Sequence, residues 1–129
     1  MRIDLTFDCT SLIMKVLVVD DSAVMRKIVV KILGDAGYPD VVEAVDGKDA
    51  LSKASDVDIV FTDWNMPVMD GLTFVKELRK SSTVPVIMVT TEAGQAQVLE
   101  AMRAGVNDYI VKPYGKSILL EKLELIGEQ

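Results

Sequence analysis

Apolar positions along this chain change their period at regular intervals. Residues 15–20 (KVLVVD) form an unbroken Val/Leu run, the pattern of a strand buried on both faces. Beyond Asp20-Asp21-Ser22 the spacing switches. Val24, Met25, Ile28, Val29, Ile32 and Leu33 recur with Lys27 and Lys31 opposite, which predicts one face of a helix stopped by the Gly34–Gly37 region. The same alternation repeats down the chain. Strands are predicted at 41–44, 58–63, 84–90 and 109–111, and helices at 47–53, about 72–80, 93–104 and 117–127. Leu72, Val75 and Leu78 turn inward on the third helix, and Ile118, Leu119, Lys122, Leu123 and Ile126 fall at helical intervals on the last. No repeat, linker or low-complexity tract interrupts the series. Residues 15–129 therefore read as one domain and 1–14 as an N-terminal extension, non-native or disordered, with Met14 a natural start.

Five strands alternating with five helices predict an α/β fold, a doubly wound parallel sheet with helices on both faces. In such a sheet ligands bind beyond the carboxyl ends of the strands, where the strand order reverses. The residues that follow the strands are therefore the candidates for chemistry. Asp20 and Asp21 follow the first, Asp63 the third, Thr90 and Thr91 the fourth, and Lys112 the fifth. The common order 2-1-3-4-5 would set the first and third strands side by side and gather three carboxylates at one edge.

Carboxylates that close repel one another unless a cation or protons intervene. An all-oxygen cluster suits Mg2+, which keeps several waters and takes its other ligands from carboxylate and phosphate. A carboxylate nucleophile accepts a phosphoryl group only when the incoming oxygens are neutralised. Magnesium, the Lys112 ammonium and the Thr90 hydroxyl would do that. Singly, each residue also has a plain structural role: Asp20-Asp21-Ser22 or Thr90 as helix caps, Asp63 as a turn cap before Pro67, Lys112 as a solvated side chain. Their fall on one edge argues for a site.

Composition narrows the partners. The chain carries 14 basic and 20 acidic side chains, net −6, with no basic stripe, which argues against nucleic acid. It has no histidine and one cysteine, Cys9, so neither a structural zinc site nor a disulfide framework is available. No apolar run approaches the roughly 20 residues of a membrane span. The opening MRIDLTFDCTSLI lacks the form of a secretory signal, so a cytoplasmic location is expected.

The stretches LVVDDSAVMRKI, VFTDWNMPVMDGL, PVIMVTTEAG and AGVNDYIVKPY resemble the receiver domains of bacterial two-component response regulators, and DWNMPVMDG resembles their single-domain chemotaxis (CheY-like) branch. The family's fold is flavodoxin-like, with the 2-1-3-4-5 order given above. The resemblance implies Asp63 as the phosphorylation site. It implies Mg2+ held by Asp21 directly, by Asp20 mainly through water, and by Asp63 and the Asn65 backbone carbonyl. Lys112 would pair with the phosphoryl group, before a cis Pro113; Thr90 would be the switch hydroxyl and Tyr109 the aromatic that follows it. Asn65 and Glu92 would tune hydrolysis of the acyl phosphate, and Trp64 would be a partly exposed reporter.

The same resemblance implies a CheA-like histidine kinase as donor and allows a separate phosphatase. Output would run through the fourth helix, fifth strand and fifth helix, with contacts at Ala93, Val98, Tyr109, Val111 and Tyr114, to the flagellar motor switch protein. The chain stops at Gln129 with no DNA-binding effector after it, so output through another protein is expected, and the resemblance implies a monomer. Its only catalysis would be its own phosphorylation and dephosphorylation.

Two other readings stay open. A single-domain phosphorelay intermediate, passing its phosphoryl group to another histidine protein, would share the whole acidic site and differ in its contact surface. A magnesium-dependent phosphatase similar to haloacid dehalogenase-like enzymes would need an acid/base Asp two residues after its nucleophile. Asn65 stands there after Asp63, and Ser22 after Asp20.

Overall fold

The computed structural model describes residues 14–127; residues 1–13 of the expected extension lie outside them. Strands and helices alternate throughout: β1 (Val16–Val19), α1 (Ala23–Asp35), β2 (Val41–Ala44), α2 (Gly47–Lys53), β3 (Ile59–Asp63), α3 (Gly71–Leu78), β4 (Val86–Thr90), α4 (Gln95–Ala104), β5 (Asp108–Val111) and α5 (Lys116–Gly127). The strands form one parallel sheet in the order β2-β1-β3-β4-β5, the flavodoxin-like arrangement expected.

Unbroken apolar runs become central strands because successive side chains point to opposite faces, and both faces here are covered. Leu17, Val19, Val60, Val86 and Met88 join Phe74, Val75 and Leu78 on the side of α2, α3 and α4. Val16, Val18, Ile59, Phe61, Ile87 and Val89 join Val29, Leu33, Leu119 and Leu123 on the side of α1 and α5. Each fully buried Val, Leu or Ile contributes about 1.5–3 kcal/mol. With β1 wholly buried, the first charged side chains it can offer are those just past its end. That is how a doubly covered sheet positions a site.

Helix boundaries follow local caps. Ser22, Asp46 and Asp70 each accept a backbone N–H at the start of α1, α2 and α3. The first helix continues through Gly34 to Asp35, and Gly37, at φ 97°, makes the turn that follows. The fourth helix starts at Gln95 rather than 93, with Gly94 at its N-cap and Gly105, at φ 111°, closing it.

The α1 stripe is only half buried. At about 100° per residue its six apolar positions fan over half the helix circumference. Val29 and Leu33 face the sheet, whereas Val24 (70% exposed) and Ile28 (46% exposed) face outward. On α5, Leu119 and Leu123 are fully buried, and Lys122 turns out to pair with Asp108 at 3.1 Å.

Candidate functional site

All five strands run the same way, so their carboxyl ends share one edge, and the β1–β3 pairing brings the acids together there. Asp20 and Asp21 leave β1, Asp63 closes β3, and one carboxylate oxygen from each lies within 4.8 Å of the others. Ser22 Oγ, not a carboxylate, accepts the Met25 N–H (3.2 Å) and caps α1. The Ser22 N–H donates to Asp20 Oδ1 (2.9 Å) and the Trp64 N–H to Asp63 Oδ1 (2.8 Å), which orients both side chains. Their other oxygens turn to Lys112 Nζ, at 3.8 Å from Asp20 Oδ2 and 3.3 Å from Asp63 Oδ2.

One ammonium thus faces two largely buried carboxylates, with the exposed Asp21 beside them. Burial pushes the Asp63 carboxyl above its ordinary value; the Lys112 charge opposes that rise and the Asp20 charge adds to it. Three carboxylate oxygens this close fit a hard, oxygen-liganded cation such as Mg2+.

The neighbouring loop links two hydroxyls. Thr90 is fully buried, and its Oγ1 accepts the Glu92 N–H at 3.1 Å. The Tyr109 hydroxyl donates to the Glu92 carbonyl, and burial raises its pKa. Through the Glu92 backbone, Thr90 and Tyr109 are two hydrogen bonds apart. The peptide before Pro113 is cis, as expected. Gly71 is where the loop after β3 returns to the site. Its N–H donates to the Trp64 carbonyl (2.7 Å), and a Cβ there would overlap the Asp63 carbonyl oxygen.

Residues 16–124 match the response regulator receiver domain family. The chain belongs to that family. It is 50% identical to chemotaxis protein CheY1 of Helicobacter pylori, over 88% of this chain and 96% of that one. It is 52% identical to a CheY homolog of Campylobacter jejuni, over 86% and 90%. Among solved structures it matches chemotaxis protein CheY4 of Vibrio cholerae with a TM-score of 0.82 at 41% identity, over 88% and 98% of the two chains. This is a CheY-like receiver.

Within this receiver, Asp20, Asp21, Asp63 and Lys112 converge, Thr90 and Tyr109 flank them through Glu92, and Asn65 lies exposed on the loop after Asp63. Two placements differ from expectation. Trp64 is 8% exposed, not partly exposed; it packs into the core on the α2–α4 side. Tyr114 sits apart from the other expected contact residues. It packs on the α1–α5 side and lines the crevice with Asp20, Asp63 and Lys112, and burial together with those two negative charges raises its pKa. Ala93 and Val111 are exposed, and Val98 and Tyr109 half-buried, while Leu99 and Met102 add exposed apolar surface on α4.

Arg26 and Glu43 were missed altogether. Arg26 Nη1 donates to the Asp20 carbonyl at 2.7 Å, and Nε pairs with Glu43 at 3.0 Å. The available signal was a cation near the N-terminus of a helix, where the macrodipole disfavours it.

Proposed function

We propose that this CheY-like receiver accepts a phosphoryl group on Asp63 from the phosphohistidine of a CheA-like kinase and signals in chemotaxis by binding the flagellar motor switch protein. One observation carries the reading: Asp63 Oδ2 lies in a crevice 3.3 Å from Lys112 Nζ, with the carboxylates of Asp20 and Asp21 alongside. The names of its relatives support the chemotactic setting.

In the transfer, an Asp63 carboxylate oxygen attacks phosphorus and the phosphorus–nitrogen bond of the donor breaks. The imidazole leaves with the electron pair and takes up a proton from solvent. Asp20, Asp21, Asp63 and the Asn65 carbonyl would hold Mg2+, which when bound neutralises the phosphoryl oxygens. Lys112 shifts from the carboxylate to a phosphoryl oxygen. The product adds roughly two negative charges and three acceptor oxygens at this edge. Thr90 turns its hydroxyl to one of those oxygens and gives up the Glu92 N–H, which frees the loop that Tyr109 grips. The α4–β5 surface is thereby rebalanced between two states. Asn65 and Glu92 border the path of the water that ends the signal, with or without a separate phosphatase. The receiver works as a cytoplasmic monomer and turns over no external substrate.

With Mg2+ and acetyl phosphate, intact mass should show one added phosphoryl group, and Asp63→Asn should show none. Labelling that persists in Asp63→Asn overturns the acceptor assignment. Beryllofluoride should tighten binding to an N-terminal peptide of the same cell's motor switch protein, and Tyr109→Ala should weaken it. No binding in either state, with Asp63 still labelled, moves the reading to a phosphorelay intermediate.

A further inference from the structure

The acidic edge has a support that the phosphoryl chemistry does not use. Arg26 folds back from the start of α1 so that Nη1 donates to the Asp20 carbonyl at 2.7 Å and Nε to Glu43 Oε1 at 3.0 Å. Its side chain is only 13% exposed. A cation there meets an unfavourable helix dipole, and taking a guanidinium out of water is costly unless its donors are used. The two acceptors offset those costs. One of them belongs to the peptide that joins Asp20 to Asp21.

The other bonds in this loop hold Asp20. Its N–H donates to the Ala44 carbonyl (3.1 Å), and its Oδ1 accepts the Ser22 N–H (2.9 Å). Asp21 is exposed, and its placement depends on how the peptide plane before it is turned. The Arg26 bond sets that plane. Glu43 in turn is fixed on β2: it pairs in register with Val18, accepts Lys27 Nζ at 2.9 Å, and its backbone carbonyl accepts Lys53 Nζ at 2.8 Å. The hydrogen bond from Lys27, with that from Arg26 and the charge of both cations, holds its carboxyl below the ordinary value against the opposing effect of burial. The guanidinium is therefore a brace between a strand and the loop.

We propose that Arg26, anchored by Glu43, is a positioning residue for the divalent cation, fixing the Asp20–Asp21 peptide so that the Asp21 carboxylate meets those of Asp20 and Asp63. The inference rests on the Mg2+ reading of the acidic edge. Its sign separates it from plain electrostatics. A nearby positive charge repels a bound cation, so deleting Arg26 merely as a charge would tighten Mg2+ binding. Deleting a brace weakens it.

The test is calorimetric Mg2+ titration of wild type, Arg26→Ala, Arg26→Lys and Glu43→Ala, each with a urea unfolding curve to confirm that it is folded. Removing a partner that orients a metal ligand typically costs 10–100-fold in affinity. Arg26→Ala should bind Mg2+ about 10-fold more weakly, Arg26→Lys should stay weaker than wild type because one ammonium cannot reach both acceptors, and Glu43→Ala should show a smaller loss. Unchanged or tighter binding in folded Arg26→Ala, or wild-type binding in Arg26→Lys, overturns the proposal. If Arg26→Ala does not fold, Arg26→Lys and Glu43→Ala decide it by the same criterion. A wild type that binds no Mg2+ overturns the metal reading itself and the inference with it, whereas a wild type that binds while the variants match it overturns the inference alone.

Discussion

The two ends of the sheet both carry charged clusters, but only one of them is satisfied. Near the amino ends of β4 and β5, Arg79 donates to the Gly105 carbonyl at 3.1 and 2.8 Å, to the Ser82 carbonyl at 3.2 Å and to Asn107 Oδ1 at 3.0 Å. The same Asn107 oxygen accepts the Val86 N–H at 2.8 Å. Close by, the Lys15 N–H donates to Asp58 Oδ2 at 2.7 Å. At the carboxyl ends, three carboxylates crowd together with one lysine facing two of them, and burial raises the Asp63 carboxyl instead of the environment stabilising its charge. Leaving a buried charged group poorly paired costs more than a hydrogen bond gains. The contrast accords with the proposed function: stability is conceded at the edge that would receive a cation and a phosphoryl group, and kept at the other.

Three measurements sharpen or break that contrast. The largest effect is expected for Gly71→Ala, where a methyl group would meet the Asp63 backbone, which cannot yield as a flexible side chain can. Overpacking of this kind should cost about 3 kcal/mol in urea unfolding, together with weaker Mg2+ binding. Wild-type stability in this variant would show that the loop is not packed on β3. Arg79→Ala should act at the other end alone. It leaves the Gly105 carbonyl and Asn107 short of a partner, a loss of about 2 kcal/mol, with Mg2+ affinity unchanged. A joint loss of affinity would mean the two ends are coupled.

The smallest effect concerns pH. Asp63 binds its proton more tightly in the native state than when unfolded. Without metal, the contribution of Asp63 to stability should therefore fall as pH rises from the ordinary aspartate value of 3.8 through the raised native one. Asp63→Asn removes that fall, so its advantage over wild type should grow across this window and level off above it. An advantage that shrinks as pH rises would mean the Asp63 charge is stabilised, and the contrast between the two ends would collapse.

Element order, the parallel sheet and the meeting of Asp20, Asp21, Asp63 and Lys112 at one edge were legible from the chain because each rests on a local signal. An apolar run buried on both faces has no place for Asp20 or Asp63 except its end, and parallel strands put all their ends together, that of β5 before Lys112 included. The family resemblance supplied the proposed roles, which spacing could not. Burial was less legible. Val24 and Ile28 share a helical stripe with Val29 and Leu33, yet the sheet and α5 cover only half of it. Trp64 follows Asp63 and was read as partly exposed, but the loop that Gly71 closes carries it into the core.

The sequence by itself determined where helices and strands form and which side chains stand at their ends, since periodicity and adjacency are properties of the chain. Only the tertiary structure decided that Tyr114 lines the acidic crevice and that Arg26 grips the Asp20 carbonyl against Glu43 of the next strand. The reason is physical. A backbone carbonyl has no letter of its own in a sequence, and the guanidinium that meets the Asp20 carbonyl is held there by Glu43, 17 residues along the chain and 3.0 Å away.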